Sequence, residues 1–221
     1  MIFNTLYMNE NIEIKENEVP VIVIESPSVL SSLIRDLIKQ KGGEDGENVF
    51  SENHRPISVK KYIDIIIDPF NLDLNQTKII NGTLKYMDYI ANGEMGEQTL
   101  HLRNSLESYA EIMIQEIQLP LYTDSIWDIS KVIKAMGIHY EDNTLEMVEK
   151  LLQYIKISSF LFGTKCFVFL NLKQYLEREE IIAFYRDVSL EKANILLLES
   201  SVSYELENEN IIILDKDLCV L

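Results

Sequence analysis

The feature that most constrains the fold is an alternation of strand and helix patterns in the first 70 residues. Val19 to Ile24 is a short continuous apolar run, and Tyr62 to Ile67 is a second one that only Asp64 interrupts. Between them, apolar residues from Ser28 to Lys41 recur three and four positions apart, as on one face of a helix, and Gly42-Gly43 ends the pattern. This order predicts a strand, a helix and another strand.

The last third of the chain returns to the same alternation. Lys165 to Asn171, Asn194 to Glu199 and Ile211 to Leu214 have the composition of strands, and Ile181 to Val188 is helical between the first two. A further helix is predicted from about Asn143 to Ser158. Strands that alternate with helices predict an α/β fold with a mostly parallel sheet that is covered on both faces.

Residues between these two regions have helical periodicity throughout. Long helices are predicted from about Asn75 to Ala91 and from about Gln98 to Gln118, and a shorter one from Ser125 to Met136. Gly93 and Gly96 separate the two long helices by only a short break. This break implies an antiparallel helical pair.

The predicted organisation is therefore a discontinuous α/β head with an inserted helical leg. The head contains residues 1–72 and 140–221, and the leg contains residues 73–139. The segment from Gly42 to Pro56 is polar and rich in glycine, and we predict a mobile loop there.

Composition limits the partners of the chain. Its 221 residues include 36 acidic and 20 basic side chains, for a formal charge of −16, and 47% are hydrophobic. Such a chain folds, but it should repel nucleic acid and anionic membranes over most of its surface.

The sequence also contains no pattern of a membrane or secreted protein. No stretch reaches the ~18 apolar residues of a membrane span, and no basic segment precedes an apolar core at the start. We therefore expect a cytoplasmic protein without a membrane partner.

The two cysteines are too few for a Cys/His metal framework. Cys166 lies in the apolar run Cys166-Phe167-Val168-Phe169-Leu170, where a reduced thiol usually belongs to the core. We predict that Cys166 is buried and that its role is packing.

The turn after the first apolar run is the place where a parallel α/β protein usually holds a phosphate. Its sequence is Glu25-Ser26-Pro27-Ser28, with no glycine to admit a phosphate and no lysine to contact one. The carboxylate of Glu25 would repel the ligand. We expect no ATP binding at this turn.

Two groups of acidic residues have alternative interpretations. Asp64, Asp68 and Asp73 flank the end of a strand, where a metal-dependent nuclease would place its carboxylates, but Asp68 and Asp73 also suit turn and helix-cap positions. A second group offers oxygen ligands for Ca²⁺ or forms a solvated acidic face. This second group includes Glu107, Glu111, Glu116, Asp124 and Asp128.

Basic residues are few and unevenly placed. Lys60 and Lys61 belong to segment 31–61, whose net charge is +1, and Lys131 and Lys134 stand one turn apart on the predicted short helix. These lysines either are solvated or contact phosphates.

Four segments, in order along the chain, resemble one protein family. They are Ile67-Asp68-Pro69-Phe70-Asn71-Leu72-Asp73-Leu74-Asn75, Val132-Ile133-Lys134-Ala135-Met136-Gly137-Ile138, Lys165-Cys166-Phe167-Val168-Phe169-Leu170-Asn171 and Asn194-Ile195-Leu196-Leu197-Leu198-Glu199. Their order and spacing resemble the type II-A CRISPR-associated adaptation proteins of the Csn-two family, and the resemblance extends over the whole chain.

This resemblance implies a P-loop or RecA-like head without a working nucleotide site and an inserted helical leg. It implies a homotetrameric ring that binds linear double-stranded DNA by its ends, without sequence preference, through a basic central hole. Ca²⁺ stabilises the assembly in this family. The family acts in spacer acquisition during antiviral defence, together with other adaptation proteins and the effector nuclease.

The candidate calcium ligands are Glu116, Asp124 and Asp128. Glu116 and Asp124 match acidic positions of the family, whereas Gln118 and Tyr122 stand where further carboxylates are expected. The sequence therefore predicts either no calcium site or one with a different ligand set.

The candidate DNA-binding residues come partly from the resemblance and partly from local charge. Lys134 matches a lysine of the family, and His139 occupies a position that is often basic there; Lys131, Lys60 and Lys61 are added from local charge. The expected protein is not an enzyme. A nuclease that uses Asp64, Asp68 and Asp73 and an acidic scaffold that binds only proteins remain as alternatives.

Overall fold

A computed structural model describes residues 1–15, 18–122, 128–142 and 145–221. The chain divides into two compact units. The α/β unit contains residues 1–73 and 142–221, and the helical unit contains residues 74–141.

The described residues form both strands and helices. The strands are β1 (Ile2–Asn4), β2 (Ile12–Glu13), β3 (Val19–Ile24), β4 (Val49–Glu52), β5 (Arg55–Pro56), β6 (Ile63–Ile66), β7 (Cys166–Leu170), β8 (Asn194–Glu199) and β9 (Glu209–Leu214). The helices are α1 (Pro27–Gly42), α2 (Val59–Tyr62), α3 (Thr77–Asn92), α4 (Gly96–Ile117), α5 (Ile129–Ala135), α6 (Met147–Phe162) and α7 (Arg178–Leu190). Short 3₁₀ helices span Pro69–Asn71 and Leu172–Gln174. Among the described helices, none is long and apolar enough to cross a membrane.

The centre of the α/β unit is a five-stranded parallel sheet in the order β6-β7-β8-β3-β9. All six residues of β3 are buried, as are the first four of β7 and the last five of β8. A strand buried on both faces has apolar side chains at consecutive positions, which is why these runs are unbroken in the sequence. The predicted α/β fold with a parallel sheet is confirmed.

The apolar face of α1 covers one side of this sheet. Leu33 and Leu37 are fully buried and belong to the same cluster as Ile22 and Val168. Cys166 is also buried there, its thiol is free, and burial raises the pKa of that thiol to about 12. The prediction that Cys166 is a core residue is confirmed.

The prediction of a mobile loop from Gly42 to Pro56 is wrong. Within this segment β4 and β5 pair with each other, and β4 pairs with β1, in an antiparallel sheet of order β2-β1-β4-β5. The carboxylate of Asp36 fixes the residues before β4, because it accepts hydrogen bonds from the backbone N–H groups of Glu47 (3.0 Å) and Asn48 (3.1 Å). Gln40 also donates to this carboxylate, over 2.8 Å. Strand pairing and the Asp36 carboxylate thus order this polar sequence.

The helical unit has a small core between two of its helices. Ala91 of α3 and Ile129 and Ile133 of α5 are buried together, and Leu84 and Met87 of α3 pack against them. By contrast, none of the residues described in α4 is buried. The two long helices and the Gly93–Gly96 break match the sequence prediction closely.

The structure describes the N-caps of two further helices. The structure begins α5 at Ile129 with Asp128 as its N-cap, and the predicted start at Ser125 lies outside the described residues. It begins α6 at Met147, since Glu146 and Glu149 form a capping box there; the predicted start at Asn143 also lies outside the described residues.

Candidate functional site

The turn between β3 and α1 has no cradle for a phosphate. Ser26 is the N-cap but its side chain makes no capping hydrogen bond, and its Oγ lies 3.1 Å from Ser28 Oγ. Pro27 occupies the first turn of the helix, where its ring removes an N–H donor. Glu25 is exposed beside it. A groove of about 490 Å³ adjoins this turn and is lined mainly by apolar side chains. These features favour neither a nucleotide nor another phosphate.

Asp64 is a structural carboxylate in the edge strand β6. It is only 7% exposed, and its Oδ1 lies 3.0 Å from Lys41 Nζ. The hydroxyl of Tyr154 donates to its Oδ2 over 2.6 Å, and burial raises the pKa of this tyrosine above its usual range. Both carboxylate oxygens are thus engaged within the core.

The other two aspartates of the nuclease hypothesis do not join Asp64. Asp68 caps the 3₁₀ helix that follows β6, accepting from the backbone N–H of Phe70 over 3.0 Å, which confirms its predicted role in the turn. Gln76 holds the N-cap position of α3, so the interpretation of Asp73 as the cap of that helix is wrong. In the described ranges, no group of three His, Cys, Asp or Glu side chains is placed to hold a metal ion.

The candidate calcium ligands are only partly described. Glu116 is exposed near the end of α4, and Asp124 lies outside the described residues. Asp128 caps α5 by accepting from the backbone N–H of Ser130 over 2.9 Å. Hydrogen bonds from the Ser130 side chain and backbone lower the pKa of Asp128. Glu116 and Asp128 alone do not make a calcium site.

The candidate DNA-binding residues fall into the two units. Lys60 and Lys61 are exposed on α2 of the α/β unit, where Lys61 Nζ lies 4.9 Å from the centre of the Tyr62 ring. Lys131 and Lys134 are exposed on α5 of the helical unit. His139 is exposed in the following segment, and its Nδ1 lies 2.9 Å from the carbonyl oxygen of Gly137. The structure therefore brings Lys131, Lys134 and His139 into one unit.

A cleft of about 280 Å³ lies between α3 and α5. One of its lining residues, Lys85, was not predicted from the sequence as a DNA-binding residue. Its walls include Lys85 of α3 opposite Lys134 of α5. α3 contains only Lys78, Lys85 and Asp88 as charged residues, so local charge does not single out Lys85. The spacing of Asn81, Lys85 and Asp88 is the one available signal, since it places all three on one helical face.

Comparison with known proteins identifies the relatives of the chain. Residues 40–218 match the family model described as CRISPR-associated protein (Cas_Csn2), which is most of the 221-residue chain. The chain belongs to the Csn2 family. This confirms the resemblance that the order of the four sequence segments indicated.

Two relatives extend the match to nearly full length. The chain is 24% identical to CRISPR-associated protein Csn2 of Streptococcus agalactiae over 200 residues, which are 89% of this chain and 87% of the relative. It is 23% identical to CRISPR-associated protein Csn2 of Enterococcus faecalis over 202 residues, 90% of each chain. Membership of the Csn2 family implies a role in a CRISPR system.

Proposed function

We propose that four copies of this Csn2-family protein form a ring that binds linear double-stranded DNA by its ends during spacer acquisition. The ring is not an enzyme and reads no sequence. Its partners in this role are the other CRISPR adaptation proteins and the effector nuclease. Family membership and the features below support this proposal.

The observation that carries the proposal is the exposed apolar surface of α4. Leu102, Leu106, Tyr109 and Met113 are 44%, 40%, 61% and 44% exposed, although all are apolar or aromatic. Their spacing of four, three and four residues places them along one side of the helix. A stripe of this kind on a long helix is typical of a surface that is covered in an assembly. A second copy of the chain offers the same stripe, as a symmetric interface requires.

Assembly changes the meaning of the acidic composition. A protomer of formal charge −16 contributes about −64 to a tetramer, so the outside of the ring should repel DNA. Each lysine that faces the interior is present four times, so three of them per protomer place about twelve cations around the duplex. Contacts with phosphates alone give strong salt dependence and no sequence preference.

The α/β unit contributes a scaffold in this proposal. We infer a relationship to P-loop and RecA-like folds because the strand that precedes the first helix, β3, lies inside a parallel sheet between β8 and β9. The turn Glu25-Ser26-Pro27-Ser28 lacks the glycines and the lysine that hold phosphates in those folds. The helical unit, residues 74–141, supplies the leg.

Solution mass and DNA competition together test the proposal. Sedimentation should give four times the 25.7 kDa of one chain. A fluorescent linear duplex should bind tightly at low salt and be released as salt rises, and closed circular DNA should compete far less well than the same DNA linearised. A monomeric mass, or equal competition by both forms, would contradict the ring. No binding of linear DNA even at low salt would favour a scaffold that contacts only proteins.

The same sedimentation experiment addresses calcium. The described carboxylates do not fit a calcium site by themselves, so no step of the proposal depends on the ion. We propose Ca²⁺ only as a counter-charge between acidic subunits. Runs in Ca²⁺ and in EDTA should then differ in the fraction of tetramer, and identical distributions would remove calcium from the proposal.

A further inference from the structure

The helical unit separates its charges between helices. α5 carries two lysines and no acidic residue, and α3 carries two lysines against the single acid Asp88. α4, in contrast, carries one arginine and four glutamates. Positive charge in this unit is therefore concentrated where α3 and α5 pack together.

The cleft described above lies at that contact. Asn81, Lys85 and Asp88 project from one face of α3, and Ser130 and Lys134, four residues apart, project from one face of α5. The two helices are held together by the buried side chains of Ile129 and Ile133 against Leu84 and Met87. The cleft is thus built by fixed secondary structure.

The two lysines of the cleft have no carboxylate partner in the described part of the chain. Neither Lys85 nor Lys134 lies within 4 Å of an acidic oxygen there. Asp88 lines the same cleft, but its Oδ1 accepts a hydrogen bond from Asn92 Nδ2 over 3.0 Å on its own helix. Lys85 and Lys134 therefore line one cleft together with the neutral polar residues Asn81 and Ser130.

We propose that this cleft is a phosphate subsite in which Lys85 and Lys134 together bind one backbone phosphate of DNA. Asn81 and Ser130 add neutral hydrogen bonds to the same group. This inference rests on the proposed DNA binding and adds to it a specific residue, Lys85, and a shared ligand. Lysine suits this role because its ammonium is a compact point charge that binds a phosphate without contacting the edges of the bases. Such a contact carries no sequence preference.

Charge-removing variants test the subsite through the affinity for a linear duplex. Each phosphate contact that is lost weakens binding at about 0.1 M salt about eightfold, relative to its effect at 1 M salt, and makes the salt slope shallower by about 0.9. We expect Lys85→Gln and Lys134→Gln each to have an effect of at least this size. Lys216→Gln, which removes an exposed lysine from the α/β unit, is the matched control and should change affinity by less than about twofold.

The double variant decides whether the two lysines share a phosphate. If they do, Lys85→Gln/Lys134→Gln weakens binding by clearly less than the product of the single effects, because the second substitution acts on a contact already lost. A product of the two single effects would overturn the shared subsite, as would single effects equal to that of Lys216→Gln.

Asp88 provides a test of opposite sign. Asp88→Asn removes the one negative charge of the cleft and should tighten DNA binding, whereas Glu94→Gln removes an acid elsewhere in the same unit and should not. Equal effects of the two variants would contradict a local site.

The outcomes for wild-type protein separate the subsite from the proposed function. If wild-type protein binds DNA but all these variants match it, only the subsite fails. If wild-type protein binds no DNA at all, the proposed function fails with it.

Discussion

Lys173 and Glu209 form a buried ion pair in the α/β unit. Lys173 Nζ lies 2.8 Å from both carboxylate oxygens, and the two side chains are 3% and 0% exposed. Lys173 also donates to the carbonyl oxygen of Tyr204, while Glu209 accepts from the hydroxyl of Tyr185 over 2.8 Å and from the backbone N–H of Leu206 over 3.0 Å. The pair therefore ties the start of β9 to the 3₁₀ helix after β7 and to α7.

We expect Lys173→Met to lower the free energy of unfolding by about 3–5 kcal/mol, because it leaves the Glu209 carboxylate buried without a counter-charge. Urea unfolding measures the change. Lys156→Met is the matched control: its partner Glu191 is 3.4 Å away in a largely exposed pair, so the expected loss is below about 1 kcal/mol. Equal losses in the two variants would contradict the buried pair.

Glu199, at the end of β8, is a second buried acid beside this pair. The structure leaves it 1% exposed; its Oε1 accepts from the backbone N–H of Lys173 over 3.1 Å, and its Oε2 has no hydrogen-bond partner among the described residues. Burial raises the pKa of Glu199 to about 7, with Glu209 adding repulsion, although the backbone N–H and charge of Lys173 oppose the rise.

This raised pKa predicts a stability that falls as the pH rises. The unfolded chain releases the Glu199 proton near 4.5 and the folded chain near 7, so the folded state holds more protons between these values. The contribution is therefore fully present below about pH 4.5 and lost once the pH exceeds about 7, a change of about 3 kcal/mol. Glu199→Gln should flatten this dependence in urea unfolding from pH 5 to 8, whereas Glu25→Gln, an exposed control, should not. A wild-type curve parallel to that of Glu199→Gln would contradict a protonated Glu199.

The sequence predicts the central sheet well and the peripheral strands poorly. The runs at Val19–Ile24 and Cys166–Leu170 are apolar at consecutive positions because both faces are buried, and such a pattern has few alternatives. β4 and β5 are four and two residues long and include Ser51 and Arg55. They depend on the pairing of β4 with β1 and of β5 with β4, and no local pattern encodes the pairing with β1. The prediction of a loop from Gly42 to Pro56 was wrong because the pairing of short polar strands depends on contacts between distant segments.

The residues of the candidate site also differ in how well the sequence alone identifies them. Lys134 was found because it matches a lysine of the family, whereas Lys85 was missed because its place in the cleft depends on α3 packing against α5. Similarly, Lys173 lies in a polar stretch that gives no indication of burial, although its ammonium is among the least exposed polar groups of the α/β unit. Contacts between distant segments decide both cases.

The anchoring role of Asp36 can be tested by hydrogen exchange. Asp36→Ala removes the acceptor for the backbone N–H groups of Glu47 and Asn48, so amides in residues 43–48 should exchange at least tenfold faster. Asp45→Ala changes an exposed acid of the same segment and is the control, with exchange expected to stay near that of wild type. Unchanged protection in Asp36→Ala would show that β4 pairing alone orders the segment.

The carboxylate of Asp64 offers a test that separates structure from catalysis. Tyr154→Phe removes the hydrogen bond to Asp64 Oδ2 and should lower the free energy of unfolding by about 1–3 kcal/mol. Tyr185→Phe removes a hydrogen bond from a second buried tyrosine–carboxylate pair and serves for comparison.

A cleavage assay tests the nuclease hypothesis directly. Incubation of DNA with the wild-type protein and Mg²⁺ or Mn²⁺ should give no cleavage, and cleavage that Asp68→Ala abolishes would restore the nuclease hypothesis.

The apolar stripe of α4 gives the most direct test of assembly. A charge placed in an interface is desolvated without a partner, so Leu106→Glu should dissociate the proposed tetramer into smaller species by sedimentation. Because α4 contributes no buried residue within the described chain, this variant should keep the unfolding free energy of one protomer nearly unchanged. Leu190→Glu is the matched control, since Leu190 is 76% exposed at the end of α7, in the other unit. Retention of the full mass by Leu106→Glu, or an equal loss in Leu190→Glu, would exclude the stripe as the surface that joins the subunits.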